Sequence, residues 1–396
     1  MFRNKIVGFL LLLLSSPAAA QLVLTESEAV TKVLANNKNI QAALLEVKQQ
    51  QQLLKSAFNL PNPELFLESP TGKFYTPSIT QSFEFPTVYS NQHRLQKQKV
   101  GIAQKEKQLS EAELKYRVKI LYLNAQFADS LVKQLYIQDT LYEKIMLSAI
   151  RQFNAGQIDY MQQIFTETQY GEVHNLYRQT VTRAKTLKAQ LQYITGIKDN
   201  IILEPLLIAS VQPDLAFIPD SSALSFNPTI QLLQQQQAVA KQNITLQKSK
   251  AFPGLVFGYF NQGERETKWF NRFRFGITIP LWYGQYKGNI NAAKTEQQVI
   301  LSKQEGLQQE LSAQLINANS EMQTSWQSVQ YYQQTGLRKA QEIITTSQRF
   351  FVSGEIDYIN FMRNSNEAYS IYQKYLEAVR SFNLSIINYQ YLMGTL

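Results

Sequence analysis

Two aspartates in a repeated turn are the residues best placed for chemistry in this sequence. A Gly-x-Ile-Asp-Tyr pattern occupies residues 156–160 and recurs at residues 354–358. Glycine suits the left-handed position that ends a helix, and an aspartate three residues later suits the N-cap of the next helix. Each carboxylate could cap a helix and also line the mouth of a pore. The predicted turn and gate residues are Gly156, Asp159, Gln162, Gly354, Asp357 and Asn360.

The sequence contains no motif for catalysis or for cofactor binding. Cys is absent, and two histidines, His93 and His174, are too few for a multi-histidine catalytic metal site. No P-loop, nucleophile elbow or metalloprotease histidine pair is present in the sequence, so an exported hydrolase is disfavoured. We therefore expect no enzyme activity, no cofactor and no bound metal. We expect His174 to face solvent on a helix.

The charge pattern argues against a nucleic-acid partner. The formal net charge is +9 over 396 residues, and no basic run of five or more residues occurs. Charged residues make up 17% of the chain, which is low, and Gln is abundant in their place. This composition suits a long helical wall that is in contact with water.

The first 20 residues have the pattern of a cleaved signal peptide. Basic residues precede a short apolar run, and an Ala-x-Ala site stands before Gln21. The alternative, an anchoring transmembrane helix, needs about 20 apolar residues and the run is shorter than that. The sequence therefore predicts an exported protein with no transmembrane helix after processing.

The rest of the chain reads as an internal duplication. Residues 151–160 match residues 349–358, and residues 193–196 match residues 391–394 at the same spacing. Two further pairs of matches lie earlier in each copy and in the same order, which chance does not explain. The predicted organisation is a signal peptide at 1–20, repeat 1 at 22–196, a connector at 197–225 and repeat 2 at 226–396.

Each repeat contains two segments that alternate between apolar and polar residues, as strands with one apolar face do. In repeat 1 these are residues 64–68 and 76–85, and in repeat 2 they are residues 255–260 and 269–279. The pattern alone fits equally a half-buried hairpin on a soluble core. In a membrane barrel, the apolar face would meet lipid and the polar face would line the lumen. The predicted lumen residues are Thr80, Glu84, Arg272 and Arg274, and the predicted lipid-facing residues are Phe83, Phe85, Phe273, Phe275 and Ile277.

The predicted helices are too long for an ordinary globular core. Residues 25–59 predict one helix, and a heptad pattern then runs from Leu114 to Phe153 with Asp139 as its one charged member. About 60 helical residues would span about 90 Å. Repeat 2 predicts a matching helix over residues 285–351. The expected fold is mainly α with a small β part: a duplicated helix-strand-strand-helix-helix unit with long coiled-coil hairpins.

Four strands per chain favour an oligomer. Single-chain membrane barrels have at least eight strands, and an open strand edge leaves backbone groups unpaired in lipid. Three copies would supply twelve strands. The step from strand count to a trimer rests on barrel geometry and not on any oligomer signal in the sequence, and the strand count alone does not fix the number of copies.

The duplicated layout, the Gly-x-Ile-Asp-Tyr turns and the Tyr-x-x-Gly repeat ends together resemble the TolC-type outer-membrane efflux protein family over residues 22–396. The resemblance implies a homotrimer with a 12-stranded outer-membrane barrel and a helical tunnel across the periplasm. It also implies partners: a periplasmic adaptor (membrane fusion) protein and an inner-membrane efflux pump of the RND type. Docking of these partners on the hairpin turns would open the tunnel.

Within that family, residues 79–89 are similar to the CusC/CzcC-like branch, which is paired with heavy-metal cation pumps. Two features depart from relatives. Gln21 stands where lipid-anchored members have Cys, and Gln162 and Asn360 stand where some members carry an acidic ring. The expected function is a passive efflux duct in the outer membrane that extends into the periplasm. The alternatives are a duct for drug efflux or type I protein secretion, and a periplasmic coiled-coil adaptor or scaffold.

Overall fold

A computed structural model describes residues 22–69, 72, 74–211, 221–261 and 268–396. The predicted signal peptide and residues 212–220 of the predicted connector lie outside the described residues. The helices are α1 (Glu26–Asn36), α2 (Lys38–Ser56), α3 (Pro86–Asn154), α4 (Tyr160–Thr195), α5 (Pro228–Ser249), α6 (Tyr283–Tyr331), α7 (Leu337–Ser353) and α8 (Tyr358–Met393). The strands are β1 (Leu22–Leu24), β2 (Glu64–Glu68), β3 (Thr76–Phe83), β4 (Ile201–Leu203), β5 (Gly254–Phe260) and β6 (Phe273–Thr278).

Two long helical hairpins dominate the structure and confirm the expected fold class. Helix α3 is 69 residues long, which corresponds to about 100 Å at 1.5 Å per residue. It begins with Pro86 at its first turn, where a missing backbone N–H costs nothing, and it contains no further Pro. Helix α4 returns along α3, and α8 returns along α7 and α6. The two hairpins also contact each other through α3 and α8.

The heptad pattern of α3 forms the packed seam of the first hairpin, as predicted. Its buried members include Val118, Ala125, Leu135 and Ala149. The corresponding positions of α6 are buried as well: Leu311, Leu315, Ala318, Met322 and Val329. Both seams combine small and large apolar residues, so the neighbouring helices can pack closely over many turns.

Two of the expected helices are interrupted. The helix predicted over residues 25–59 is two helices, because Asn37 is extended and its Oδ1 accepts hydrogen bonds from the backbone N–H groups of Asn39 and Ile40. The helix predicted over residues 285–351 contains a π-helical segment at Tyr332–Gly336. Gly336 allows this local widening, since a Cβ there would lie 2.9 Å from the Tyr332 ring.

The strands of the two repeats join in one antiparallel sheet of order β2-β3-β5-β6. Strand β3 of repeat 1 pairs with β5 of repeat 2, with Thr80 opposite Gly258. The two predicted repeats therefore contribute one strand pair each to a single sheet. A second, parallel pair of strands, β1 and β4, was not expected from the sequence, and it ties the start of the described chain to the connector.

No helix within the described ranges has an apolar stretch long enough to cross a membrane.

Candidate functional site

The turn of the first hairpin has the cap geometry that the sequence predicts. Gly156 adopts φ +72°, a left-handed value that disfavours any residue with a Cβ. The Oδ1 atom of Asp159 accepts a hydrogen bond of 2.8 Å from the backbone N–H of Gln162. Asp159 therefore caps the N-terminus of α4, and its carboxylate is exposed at the tip of the hairpin.

The turn of the second hairpin repeats this arrangement. Gly354 adopts φ +79°, and Oδ1 of Asp357 accepts a hydrogen bond of 2.8 Å from the backbone N–H of Asn360. The first turn has only half of a capping box, because the Gln162 side-chain amide donates to Asp159 Oδ2 at 3.5 Å, whereas a full box needs the Gln162 side chain to accept from the backbone N–H of Asp159. Both turns are thus held by the aspartates.

Large apolar side chains are exposed close to both turns. Tyr160 and Met161 begin α4, and Phe350 and Val352 end α7. Val352 is the most exposed of the four, with 80% of its surface accessible. Apolar groups grouped at the free end of a long hairpin are typical of a surface that a partner covers.

The four-stranded sheet has one apolar face and one polar face. The pairing register aligns Phe273 with Tyr259 and Ile79, and it aligns Ile277 with Leu255 and Phe83. Because side chains alternate along a strand, Phe83, Phe273, Phe275 and Ile277 share a face, as the sequence predicts. That face carries large exposed side chains: Leu65, Leu67, Ile79, Leu255, Phe257, Phe273, Phe275 and Ile277.

Phe85 and Glu84 lie outside the sheet, which corrects the predicted strand of residues 76–85. Strand β3 ends at Phe83, because α3 starts at Pro86 and the chain must turn out of the sheet before it. The Phe85 ring packs on Phe252, with 5.1 Å between ring centroids. The backbone N–H of Glu84 donates to the Tyr89 hydroxyl at 2.9 Å.

The two arginines of repeat 2 have different positions. Residues Trp269–Arg272 form a short 3-10 turn and not the start of a strand, so Arg272 precedes β6 and donates to Asn261 Oδ1 at 3.3 Å. Arg274 lies in β6 on the polar face, in one row with Thr80. Its guanidinium stands over the Phe260 ring at 4.2 Å, which is a cation–π contact.

The structure shows polar contacts between the hairpin helices that the sequence did not reveal. His174 does not simply face solvent, since its Nδ1 atom lies 3.0 Å from Oδ1 of Asp139 on α3. Nearby, the hydroxyl of Tyr142 donates to Oδ1 of Asn366 on α8 at 2.7 Å. The amide of Asn366 donates in turn to the side chain of Gln169 on α4. The charged heptad position, Asp139, was the one available signal of this polar layer.

No group of three or more His, Cys, Asp or Glu side chains in the described part of the chain is placed to hold a metal ion. The geometry thus offers hairpin tips and a two-faced sheet. Both expose large apolar side chains that a partner or a lipid surface could cover.

The fold of this chain is similar to that of solved membrane channels. CusC is similar over 93% of this chain and 92% of its own, at 15% identity and a TM-score of 0.77. The CmeC outer membrane channel of Campylobacter jejuni is similar over 93% of this chain and 85% of its own, at 12% identity and a TM-score of 0.75. The open state of the MtrE outer membrane channel of Neisseria gonorrhoeae is similar over 93% of this chain and 88% of its own, at 15% identity and a TM-score of 0.72.

The sequence itself also matches a known family. Residues 221–394, which comprise the last five residues of the predicted connector and nearly all of predicted repeat 2, match the family model for outer membrane efflux proteins. No curated protein matches the chain. The resemblance to the TolC-type outer membrane efflux protein family is therefore confirmed, by sequence in the second repeat and by fold over nearly the whole chain.

Proposed function

We propose that this protein is the outer-membrane duct of a tripartite efflux system and works as a homotrimer. The observation that carries the proposal is the four-stranded sheet, with an exposed apolar face and two free edges at the base of helices about 100 Å long. Lipid suits the apolar face, and other copies of the chain suit the free edges. The sheet of three copies forms a 12-stranded barrel.

The helices continue this barrel as a tunnel into the periplasm. The duct is passive and is not an enzyme, so the energy for transport comes from the inner-membrane pump. The polar face of the sheet, with Thr80 and Arg274, lines the lumen at the outer end. The turns capped by Asp159 and Asp357 close the opposite end, and docking of the partners loosens them.

The exposed apolar side chains at the hairpin tips favour a protein partner there. A periplasmic adaptor that presents its own helices would cover Tyr160, Met161, Phe350 and Val352 and remove this surface from water. An inner-membrane pump, of the RND type in systems with such adaptors, would deliver the solute. A free periplasmic scaffold has no use for the apolar face of the sheet, which favours the duct over that alternative.

We infer heavy-metal cations as the exported solute. The observation that favours this choice over drugs is the similarity of residues 79–89 to the heavy-metal branch of the family. The lumen needs no metal ligands for this role, since ions can pass through a wide passive duct with their hydration shell and without binding to its wall.

Deletion of the gene in its own host, combined with fractionation, tests both levels of the proposal. We expect the full-length protein in the outer-membrane fraction, and we expect the deletion to sensitise cells to copper, silver, zinc or cobalt salts more than to lipophilic drugs. Sensitisation to drugs alone would overturn the metal assignment and leave the duct standing. A protein found wholly in the soluble periplasmic fraction would overturn the duct.

A further inference from the structure

The two edges of the four-stranded sheet carry opposite charges on the same face. Strand β2 forms one edge and presents Glu64 and Glu68, and strand β6 forms the other edge and presents Arg274. The register shows that these side chains share the polar face, because Glu64 lies opposite Thr80, Thr80 opposite Gly258, and Gly258 opposite Arg274. One edge is therefore acidic and the other is basic.

These charges have no ionic partner within the subunit as far as it is described. None of the ion pairs among the described residues includes Glu64, Glu68 or Arg274. The one contact of the Arg274 guanidinium with a ring is the cation–π contact with Phe260, and this contact leaves the N–H donors of the guanidinium fork available. A carboxylate at the edge of a neighbouring copy could accept hydrogen bonds from these N–H groups.

The direction of the strands allows the two edges to meet. Each strand of the sheet is antiparallel to its neighbour, so β6 of one copy placed beside β2 of another continues the alternation. The apolar faces of both copies lie on the same side only when apolar-face residues of β6 stand opposite apolar-face residues of β2. The registers that meet this condition differ from one another by even numbers of residues. One such register pairs all five residues of β2, and it places Arg274 opposite Glu68.

We propose that β6 of each subunit pairs with β2 of the next copy, with Arg274 directly opposite Glu68 of the partner subunit. On the apolar face, Phe275 then lies opposite Leu67 of the partner subunit, and Ile277 lies opposite Leu65 of the partner subunit. Arg272, one position before β6, lies diagonal to the same glutamate. The inference rests on the proposed oligomeric duct and adds the seam that holds it together and the residues that set its register.

The absence of Cys from the chain makes a direct test clean. In the proposed register, Leu67→Cys and Phe275→Cys in one chain place two Cβ atoms about 5 Å apart across the seam. A movement of the two strand edges of about 1 Å then brings them to the separation that a disulfide spans. We expect mild oxidation of the full-length protein in outer-membrane vesicles to give covalent dimers and trimers that a thiol reductant reverses. The two single-cysteine variants should remain single chains on a denaturing gel.

A shifted register gives a different result. A shift of two residues would bring Phe275 opposite Leu65 of the partner subunit, so the pair Leu65→Cys and Phe275→Cys should cross-link weakly or not at all. Stronger cross-linking of this pair than of the Leu67 pair would overturn the proposed register. No cross-linking by either pair in an intact oligomer would overturn the seam.

Charge reversal tests the ion pair itself. Glu68→Lys and Arg274→Glu should each lower the temperature at which the detergent-extracted oligomer dissociates, and the double variant should recover most of the loss. Glu355→Lys, at the distant hairpin tip, is the matched control and should leave that temperature unchanged. No recovery in the double variant, with an intact wild-type oligomer, would refute the pair alone. A wild-type protein that is monomeric in detergent and in the membrane would refute the proposed duct instead.

Discussion

The imidazole Nδ1 atom of His174 lies 3.0 Å from Oδ1 of Asp139, between helices α3 and α4. Asp139 occupies a heptad position where an apolar residue is usual, and its side chain is 12% exposed, whereas that of His174 is 39% exposed. The buried carboxylate of Asp139 therefore has a hydrogen-bonding partner, the His174 imidazole, that is itself partly in contact with water. Removing one or the other side chain should have different consequences.

We expect His174→Ala to lower the free energy of unfolding by about 1–3 kcal/mol, since it leaves a buried acid without its partner. Asp139→Leu should cost little or be stabilising, because leucine suits the heptad seam and His174 stays partly hydrated. Thermal unfolding followed by circular dichroism measures both. Equal losses for the two variants would contradict this asymmetry.

The aspartate caps lead to a prediction about the hairpin tips. Asp159→Ala and Asp357→Ala should each destabilise the start of the following helix by about 0.5–2 kcal/mol, and serine at either site should retain most of the cap. In the duct, the double alanine variant should show faster amide exchange at both turns and a higher leak conductance in planar bilayers. The control is Glu172→Ala, which removes an exposed acid from α4 outside the turn. Faster exchange with unchanged conductance would show that the caps stabilise the turns without gating them.

The two faces of β6 should respond differently to the same charge. Phe275 is 68% exposed on the apolar face, whereas Thr278 lies on the opposite face and pairs with Gly254. A lysine on a lipid-facing position costs about 2–4 kcal/mol near the middle of the membrane. We expect Phe275→Lys to reduce the amount of protein in the outer membrane strongly and Thr278→Lys to reduce it little. If both variants insert equally well, the apolar face does not meet lipid.

The packing of strand β1 leads to a pH prediction. The Tyr122 hydroxyl donates a hydrogen bond of 2.7 Å to the carbonyl of Leu24, and burial raises the pKa of Tyr122 to about 12. In the unfolded chain this pKa is about 10. Because the pKa is higher in the folded state, the stabilising contribution is complete below about pH 10 and is lost as the pH rises through about 12.

Thermal midpoints across this alkaline range test the prediction. Tyr122→Phe should make the loss of stability with rising pH shallower. Part of the pH dependence should remain, because other buried tyrosines such as Tyr142 also have a raised pKa. Tyr193→Phe alters an exposed tyrosine and should leave the wild-type profile in place. An unchanged profile in Tyr122→Phe would contradict the assigned linkage.

Features with a local signal could be predicted from the sequence. Strand β2 spans the predicted residues 64–68, and both Gly-x-Ile-Asp-Tyr turns form the expected caps. The α3 seam follows its heptads. In each case the residues that determine the structure are close in sequence, so pattern and propensity were sufficient.

Features without a regular sequence pattern could not be predicted in this way. Asn37 breaks a segment of good helix formers because its side chain competes for the backbone N–H groups of Asn39 and Ile40, and no sequence pattern marks the π-helical segment at Tyr332–Gly336. Arg272 falls outside β6 although it continues the alternation of that strand. The contact between Asp139 and His174 joins two helices across 35 residues, and only the folded hairpin brings them together.

The molecular mass of the full-length protein, extracted from the outer membrane in mild detergent and measured by light scattering with the detergent contribution subtracted, tests the central claim most directly. The account predicts a particle of three chains that keeps its mass on dilution. A particle of one chain, which would leave the four-stranded sheet with two open edges, would contradict it.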